Sequence, residues 1–262
     1  MTEVRFPVMV IVAVTFLILC IESATVDELL NKCISSNSHK NVPAKEGKAM
    51  ESEHCTPWQN RSCCTWNTTQ DIDRDGVLSL YNIVLDQCPK QQTVMSEKCK
   101  QHFKRDTCFY ECSPNLGPWI VDMALPKKTR KDRFLAVPLC KADCDLWYSD
   151  CSEDYTCNDN WAKNWNWTNK GTPQMCTKQC KKFKEYFASA KTFCENLFDG
   201  SYAYHAKDDG ECMNLIPVGD KNLNVARDRA KQIVSSSSNQ NKHYTAVVLA
   251  GTVISVWVAT FF

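Results

Sequence analysis

Histidine is scarce in this chain, and the short motifs that many enzymes carry are missing. The 262 residues include five histidines, none of which lies near a plausible nucleophile in the sequence. The chain has no G-x-S-x-G, H-E-x-x-H or glycine-rich phosphate loop. Its formal net charge of +1 gives no field that would attract nucleic acid. These absences argue against an enzyme and against DNA or RNA as a partner.

Cysteine, in contrast, is abundant, with 17 residues. This share is typical of proteins that fold in an oxidising compartment. Cys20 lies in a segment that we expect to be removed, so the mature chain keeps an even set that predicts eight disulfides and no free thiol. Zinc is the competing use of paired cysteines, but the C-x₃-C spacings and the few histidines argue against a metal site.

The first 24 residues predict a secretory signal peptide. Arg5 precedes an apolar run that ends at Cys20, and the small residues Ser23 and Ala24 follow it. This order is typical of a signal that is cleaved, here near Ala24. A signal-anchor helix is the alternative.

The C-terminal end predicts a GPI-attachment signal over residues 235–262. Small residues at Ser235–Ser238 are followed by the polar spacer Asn239–His243 and the uncharged apolar tail Ala246–Phe262. We expect attachment at one of Ser235–Ser237, with Ser236 as the assigned residue. A membrane-spanning tail is the alternative, although it is short for a span and no basic residue follows it. Residues 25–234 then remain as one extracellular domain.

A helix is predicted over Glu97–Cys112, with Ser96 as its N-cap and Pro114 and Gly117 as its stop signal. Two pairs of residues in this helix are spaced four apart. Cys108 and Cys112 share one face, and Asp106 and Tyr110 share the face roughly opposite. One face can therefore be cross-linked while the other holds a carboxylate near aromatic rings.

A carboxylate in such surroundings is costly to bury unless hydrogen bonds are donated to it. A ligand with paired N–H groups would supply them. The alternative is a surface aspartate beside aromatic residues of the core.

Further elements are predicted from local patterns. They are short or medium helices at Val26–Cys33, Val77–Leu85, Lys178–Leu197 and Asn222–Val234, a basic loop at Lys127–Arg133, and a helix that begins at Pro138. In this last helix Cys140, Cys144, Trp147 and Cys151 form one stripe that should face the interior.

Tryptophans and glycosylation sequons come together late in the chain. Trp165 and Trp167 share one face of an extended segment, near Trp161 and Lys163. Such a cluster fits a core, a stacking wall for a planar ligand or a protein interface. Candidate glycosylation sites are Asn60, Asn67 and Asn166.

The cysteine framework and the segments DTCFYECSPNLGPW, VPLCKADCDLWYSDC and WAKNWNWT resemble the folate receptor and riboflavin-binding protein family, most of all its GPI-anchored folate receptors. The resemblance extends from about Leu29 to Cys212. It implies a single disulfide-rich globular α+β domain, mainly helical with short strands. It further implies a receptor without a cofactor at the cell membrane, which binds folic acid or reduced folates for endocytic uptake.

The resemblance also assigns roles to residues. It implies a ligand-binding set of Tyr81, Asp106, Tyr110, Arg130, Arg133, Trp161, Lys163, Trp165, Trp167 and Ser201. Asp106 would anchor the pterin ring, and Lys163 would lie near the open end where the glutamate tail of folate leaves. The implied disulfides are Cys33–Cys63, Cys55–Cys108, Cys64–Cys112, Cys88–Cys180, Cys99–Cys151, Cys140–Cys212, Cys144–Cys194 and Cys157–Cys176.

The sequence departs from the family pattern at Ala162, Ile83, Leu85, Thr129 and Phe198, each of which replaces a larger or ring-bearing side chain. Each lost ring removes about 0.5–1.5 kcal/mol of stacking. We therefore expect weakened or altered pterin affinity. Two alternatives stay open: an adhesion receptor that recognises a protein on another cell, as an egg-surface family member does, and a riboflavin-binding protein.

Overall fold

The computed structural model describes most of the chain between residues 24 and 239. The described residues are 24–36, 39–50, 52–72, 77–78, 81, 83–88, 94–127, 130–163, 176 and 178–239, with backbone alone for 77–78, 124–127 and 130. No helix formed by these residues is long and apolar enough to cross a membrane.

Helices and short strands alternate along the described residues. The α-helices are α1 (Val26–Leu30), α2 (Trp66–Gln70), α3 (Glu97–Cys112), α4 (Lys141–Cys151), α5 (Phe183–Tyr186), α6 (Ala190–Asn196) and α7 (221–239). The strands are β1 (His39–Ala44), β2 (Ser62–Cys64), β3 (Val77–Leu78), β4 (Ile83–Val84), β5 (Ile120–Lys127), β6 (Arg130–Phe134), β7 (Val137–Cys140), β8 (Tyr155–Thr156), β9 (Lys181–Lys182) and β10 (Tyr202–His205). This content confirms the predicted α+β class.

The strands form separate two-stranded ladders. β1–β2, β3–β4, β5–β6 and β8–β9 pair antiparallel, and β7–β10 pairs parallel. The chain divides into two compact units, of which the larger is Leu30–Arg227 and contains every disulfide of the structure. The described residues of the other unit are 24–29 and 228–239.

Helix α3 has the predicted limits. The Ser96 hydroxyl accepts a hydrogen bond from the Cys99 amide at 3.3 Å, which caps the first turn. The helix ends at Cys112, directly before Ser113 and Pro114. Most of its inward residues are fully buried, including Phe103 and Phe109 at 0% exposure.

Eight disulfides cross-link the larger unit, and their pairing is the one that the resemblance implies. Three of them fix α3. Cys99 bonds Cys151 at the end of α4, whereas Cys108 bonds Cys55 and Cys112 bonds Cys64 in β2. The helix is therefore held near both of its ends.

The predicted interior stripe on α4 is confirmed. Cys140, Cys144, Trp147 and Cys151 are all fully buried. The Trp147 ring packs edge-on against Phe103, with centroids 5.4 Å apart, and against Phe193 at 5.3 Å. Edge-to-face contacts of this kind add to the burial of apolar area.

The predicted helix at Val77–Leu85 is wrong, because the described part of this segment is an antiparallel pair of strands. Val77 pairs with Val84 and Leu78 with Ile83. The β-branched side chains of Ile83 and Val84 favour strands, and so short a segment gains little from helix formation by itself. Ile83 and Leu85 are buried in the core.

The helix predicted from Pro138 begins later, at Lys141, because Val137–Cys140 is strand β7. The Val137 amide donates to the Ser201 carbonyl at 2.9 Å, and the Pro138 carbonyl accepts from the Met213 amide at 2.7 Å. These partners lie more than sixty residues away in the sequence. A local pattern therefore could not show the pairing.

Two other predictions need correction. The basic segment Lys127–Arg133 is not a simple loop, because Lys127 ends β5 and Arg130–Phe134 forms β6. The single helix predicted over Lys178–Leu197 is replaced by β9, α5 and α6. Ser189 interrupts it as the N-cap of α6, where its hydroxyl accepts from the Thr192 amide at 3.2 Å.

The predicted helices at the two ends of the described chain are present, as α1, which ends at Leu30 and not at Cys33, and as part of α7. Among the candidate glycosylation sites, Asn60 and Asn67 are exposed, and Asn166 lies outside the described residues. Glycosylation at all three stays a prediction, as do the two terminal processing signals.

Removal of a disulfide should destabilise the domain according to the length of the loop that it closes. Cys88 and Cys180 are 92 residues apart and Cys157 and Cys176 are 19 apart. We expect the Cys88→Ala/Cys180→Ala variant to lose about 4–5 kcal/mol of unfolding free energy and the Cys157→Ala/Cys176→Ala variant about 3 kcal/mol. Guanidinium unfolding at equilibrium measures both, and equal losses would contradict the expectation.

Candidate functional site

Asp106 is a carboxylate in the interior of the protein. It lies in α3, its residue exposure is 6%, and its Oδ1 accepts a hydrogen bond from the Tyr202 hydroxyl at 2.5 Å. The Tyr202 hydroxyl is the one donor to this carboxylate among the described residues, and it binds Oδ1 and not Oδ2. Each carboxylate oxygen can accept two hydrogen bonds, so capacity remains for further donors.

The surroundings make the ionised form of Asp106 unfavourable. Burial raises its pKa to about 7, although the hydrogen bond from Tyr202 opposes this increase. The negative charge of Glu111, on the next turn of α3, adds to the increase. The carboxyl group is therefore close to half protonated at neutral pH in this structure.

Glu111 is a second buried acid on the same helix, and its environment differs from that of Asp106. It is fully buried, and its Oε2 lies 2.8 Å from Nε2 of His39. The Tyr81 hydroxyl donates to its Oε1. Tyr81, which the resemblance assigns to ligand binding, therefore contacts α3 about one turn beyond Asp106.

Aromatic rings pack next to Tyr202, the residue that donates to Asp106. The ring centroid of Phe134, at the end of β6, lies 4.3 Å from that of Tyr110 and 5.7 Å from that of Tyr202. Phe109 lies 6.2 Å from Tyr202. Tyr110 is half-buried whereas Phe134 is fully buried. The low polarity of these rings explains why the carboxylate is strongly desolvated.

Arg133 and Ser201 lie next to this group. Ser201 directly precedes Tyr202, and Nη2 of Arg133 lies 3.4 Å from the Ser201 hydroxyl. The guanidinium also contacts Asp199, through Nη1 to Oδ2 at 2.8 Å and through Nη2 to the carbonyl oxygen at 2.5 Å. The structure therefore brings these two predicted residues together beside Tyr202.

Two further predicted residues meet the same segment. The Trp161 amide donates to the Leu197 carbonyl at 2.7 Å, and Nζ of Lys163 lies 2.7 Å from Oδ2 of Asp199. The Trp161 ring stacks on Phe103 with centroids 4.4 Å apart and is 3% exposed. Trp165 and Trp167 lie outside the described residues, as does the Arg130 side chain.

A cleft of about 600 Å³ lies beside this segment. Its described lining consists of Ala136, Asp159, Asn160, Tyr186, Phe187, Glu195, Asn196, Asp199, Gly200, Tyr202 and Ala203. Asp106 is not in that set. Tyr202 connects the two places, because it lines the cleft and its hydroxyl reaches Asp106.

Three residues of this region are missing from the predicted site: Tyr202, Asp199 and Glu111. Tyr202 donates to Asp106 across 96 positions of the sequence, so no local pattern connects the two. A buried carboxylate needs a hydrogen-bond donor, and this need could have directed attention to Tyr202. Tyr202 directly follows Ser201, which was already assigned to the site.

A potential metal-binding cluster lies elsewhere, at His205, Asp209 and Glu211. Their ligand atoms lie within 4.8 Å of one another, and Nε2 of His205 is 2.9 Å from Oδ1 of Asp209. The group is partly or fully exposed. His205 and Asp209 already pair with each other.

The fold and the site define a class, a disulfide-rich globular domain with the buried carboxylate of Asp106 next to aromatic residues. The sequence profile of the folate receptor family matches residues 32–214. The chain belongs to the folate receptor family.

Individual relatives agree with this assignment. Human folate receptor alpha is 40% identical over 205 residues, which cover 76% of each chain. Human folate receptor gamma is 40% identical over 190 residues, 72% of this chain and 74% of the relative. The riboflavin-binding protein of Dromaius novaehollandiae is 30% identical over 170 residues, 65% and 66% of the two chains.

Replacement of Asp106 by asparagine should stabilise the unliganded protein at high pH. Because the folded-state pKa of about 7 exceeds the unfolded value, the protonated carboxyl favours folding at low pH and this contribution is lost as the pH rises through 7. An amide does not ionise, so Asp106→Asn should gain a few kcal/mol at pH 8 and little at pH 4. Urea unfolding across this pH range measures the difference.

Glu97→Gln is the matched control, because Glu97 is exposed at the start of the same helix. Its removal should leave the pH dependence of stability unchanged. An equal decrease of the unfolding free energy in Asp106→Asn at both pH values would show that burial does not raise the pKa of the Asp106 carboxyl.

Proposed function

We propose that this protein is a cell-surface receptor that binds folate or a related pterin and carries it into the cell by endocytosis. The observation that carries the proposal is the buried Asp106 carboxylate, which keeps acceptor capacity beside aromatic rings in a chain of the folate receptor family. The human relatives that are 40% identical bear the name folate receptor. The protein acts by binding and not by catalysis.

A pterin ring supplies hydrogen-bond donors that the Asp106 carboxylate can accept in the unliganded protein. Its amino group and adjacent ring N–H are parallel donors that pair with a carboxylate in a bidentate manner. The Tyr202 hydroxyl can keep its bond to Oδ1, because each oxygen accepts twice. Binding therefore replaces lost hydration of the carboxylate with two charge-assisted hydrogen bonds.

The remaining predicted residues complete the site in this proposal. Tyr110 offers a half-buried ring for stacking, and Arg133 and Ser201 offer polar contacts next to Tyr202. Arg130, Trp165 and Trp167 are assigned by resemblance. Folate is a ligand here and not a cofactor.

The proposal includes the route to the membrane. Residues 1–24 direct secretion, residues 25–234 form the extracellular domain, and residues 235–262 are exchanged for a lipid anchor at Ser236. Such an anchor would place the binding domain at the outer face of the cell membrane, where a vitamin can be captured.

Binding should depend on Asp106 and on pH. Because the ligand favours the ionised carboxylate, its binding lowers the pKa of Asp106 from the free value of about 7. Affinity should be about half of its maximum at pH 7 and nearly full above about pH 8, and it should fall about 20-fold between pH 7.4 and 5.5, provided that the bound-state pKa lies below this range. Titration of folic acid by tryptophan fluorescence at both pH values measures this change.

Asp106→Asn should weaken binding at pH 7.4 by about 100-fold or more and flatten the pH profile, whereas Glu97→Gln should change neither. Lys163→Ala should cost much less, because its side chain is 63% exposed. No response of the wild-type protein to micromolar folic acid would overturn the proposal. Binding of riboflavin, or of a cell-surface protein alone, would favour the alternative functions of the family.

Release by a phospholipase should test the lipid anchor. Intact cells that express the full chain should lose surface protein on treatment with phosphatidylinositol-specific phospholipase C, because a GPI anchor is cut in its lipid. A chain truncated after residue 234 should be secreted without treatment. Surface protein that resists the enzyme would indicate a spanning tail.

A further inference from the structure

Asp199 joins two cationic side chains of the proposed site. Its Oδ2 lies 2.8 Å from Nη1 of Arg133 and 2.7 Å from Nζ of Lys163. Its other oxygen accepts from the side-chain amide of Asn160 at 3.2 Å. The resemblance assigned Arg133 and Lys163 to ligand binding but did not include Asp199. The Asp199 carboxylate therefore forms ion pairs with both Arg133 and Lys163.

The contact with Arg133 is the stronger of the two. Both side chains are about four-fifths buried, and the guanidinium also donates to the main-chain carbonyls of Phe198 and Asp199. Partial burial alone would raise the pKa of Asp199. The hydrogen bonds from Lys163, Arg133 and Asn160 together outweigh this effect and lower the pKa. The carboxylate is therefore charged at neutral pH, and Arg133 has most of its donors engaged.

The contact with Lys163 is more exposed. Lys163 is 63% exposed, so its pair with Asp199 contributes little to stability and exchanges easily with water. An acidic group on a ligand would have to displace Asp199 from both cations, and the partly buried Arg133 is the harder of the two to release.

The cleft beside Asp199 adds to this effect. Its described lining includes the carboxylates of Asp159, Glu195 and Asp199 and no basic side chain. Asp159 pairs with Lys178, and Glu195 with Lys191, so the bases of these pairs lie away from the lining. The described lining therefore offers an acidic ligand tail no basic side chain with which to pair.

We propose that Asp199 is a specificity-determining residue, which keeps Arg133 and Lys163 from an acidic ligand tail, so that the site selects a pterin ring without selecting a glutamate. The ligand class then includes pterins that lack a glutamate tail. This inference rests on the proposed function of the same site.

Pteroic acid and folic acid provide a matched test, because they share the pterin and differ by the glutamate. Isothermal titration of the wild-type protein should give Kd values within about twofold of each other. Asp199→Asn should create a preference of about tenfold for folic acid, because it frees two cations and keeps the size of the side chain. Asparagine also tolerates the positive φ of 56° at this position.

Glu195→Gln is the control, since it removes a carboxylate of the same cleft that pairs with Lys191. It should leave the ratio of the two affinities as in the wild type. A strong wild-type preference for folic acid would overturn the inference without any variant. So would an unchanged ratio in Asp199→Asn, or an equal change in Glu195→Gln. If the wild-type protein bound neither compound, the proposed function itself would fail, and this inference with it.

Discussion

The hydrogen bond between Tyr202 and Asp106 connects two parts of the molecule that the disulfides hold in place. Asp106 lies in α3, which is bonded to the first third of the chain through Cys108 and Cys112. Tyr202 begins β10, which pairs with β7 next to the Cys140–Cys212 bond. A buried acid with a pKa near 7 weakens a fold when it ionises. The cross-links lower the entropy of the unfolded chain and so allow such a group to persist.

Two buried acids on α3 show how polar neighbours determine whether a carboxylate is available to a ligand. Glu111 has His39 on one oxygen and Tyr81 on the other. Asp106 accepts from the Tyr202 hydroxyl on Oδ1, and no other described residue donates a hydrogen bond to this carboxylate. A carboxylate with partners on both sides serves the structure, whereas one with spare capacity can recognise a ligand. The difference lies in the neighbours of the two residues, since both acids are on the same helix.

The sequence predicts the elements whose determinants are local. The limits of α3 follow from Ser96 and Pro114, and the buried stripe of α4 follows from helical spacing. Strand β7 was missed because its partner, β10, lies more than sixty residues away, whereas β3 and β4 pair with each other in a short segment that was predicted as a helix. The same contrast holds in the site. Asp106 stands out in the sequence, but Tyr202, its hydrogen-bond donor, is 96 positions away. No periodic pattern carries information over such a distance.

Residues 197–202 explain how side chains from distant segments reach one place. The Leu197 carbonyl accepts from Trp161, Asp199 binds Arg133 and Lys163, and Tyr202 reaches Asp106. The turn requires positive φ at Asp199 and at Gly200, where φ is 75°. A larger residue than glycine would be strained at the second position. Because the disulfide frame is fixed independently, substitutions within this turn can alter the charge at the cleft while the Asp106 carboxylate stays where it is.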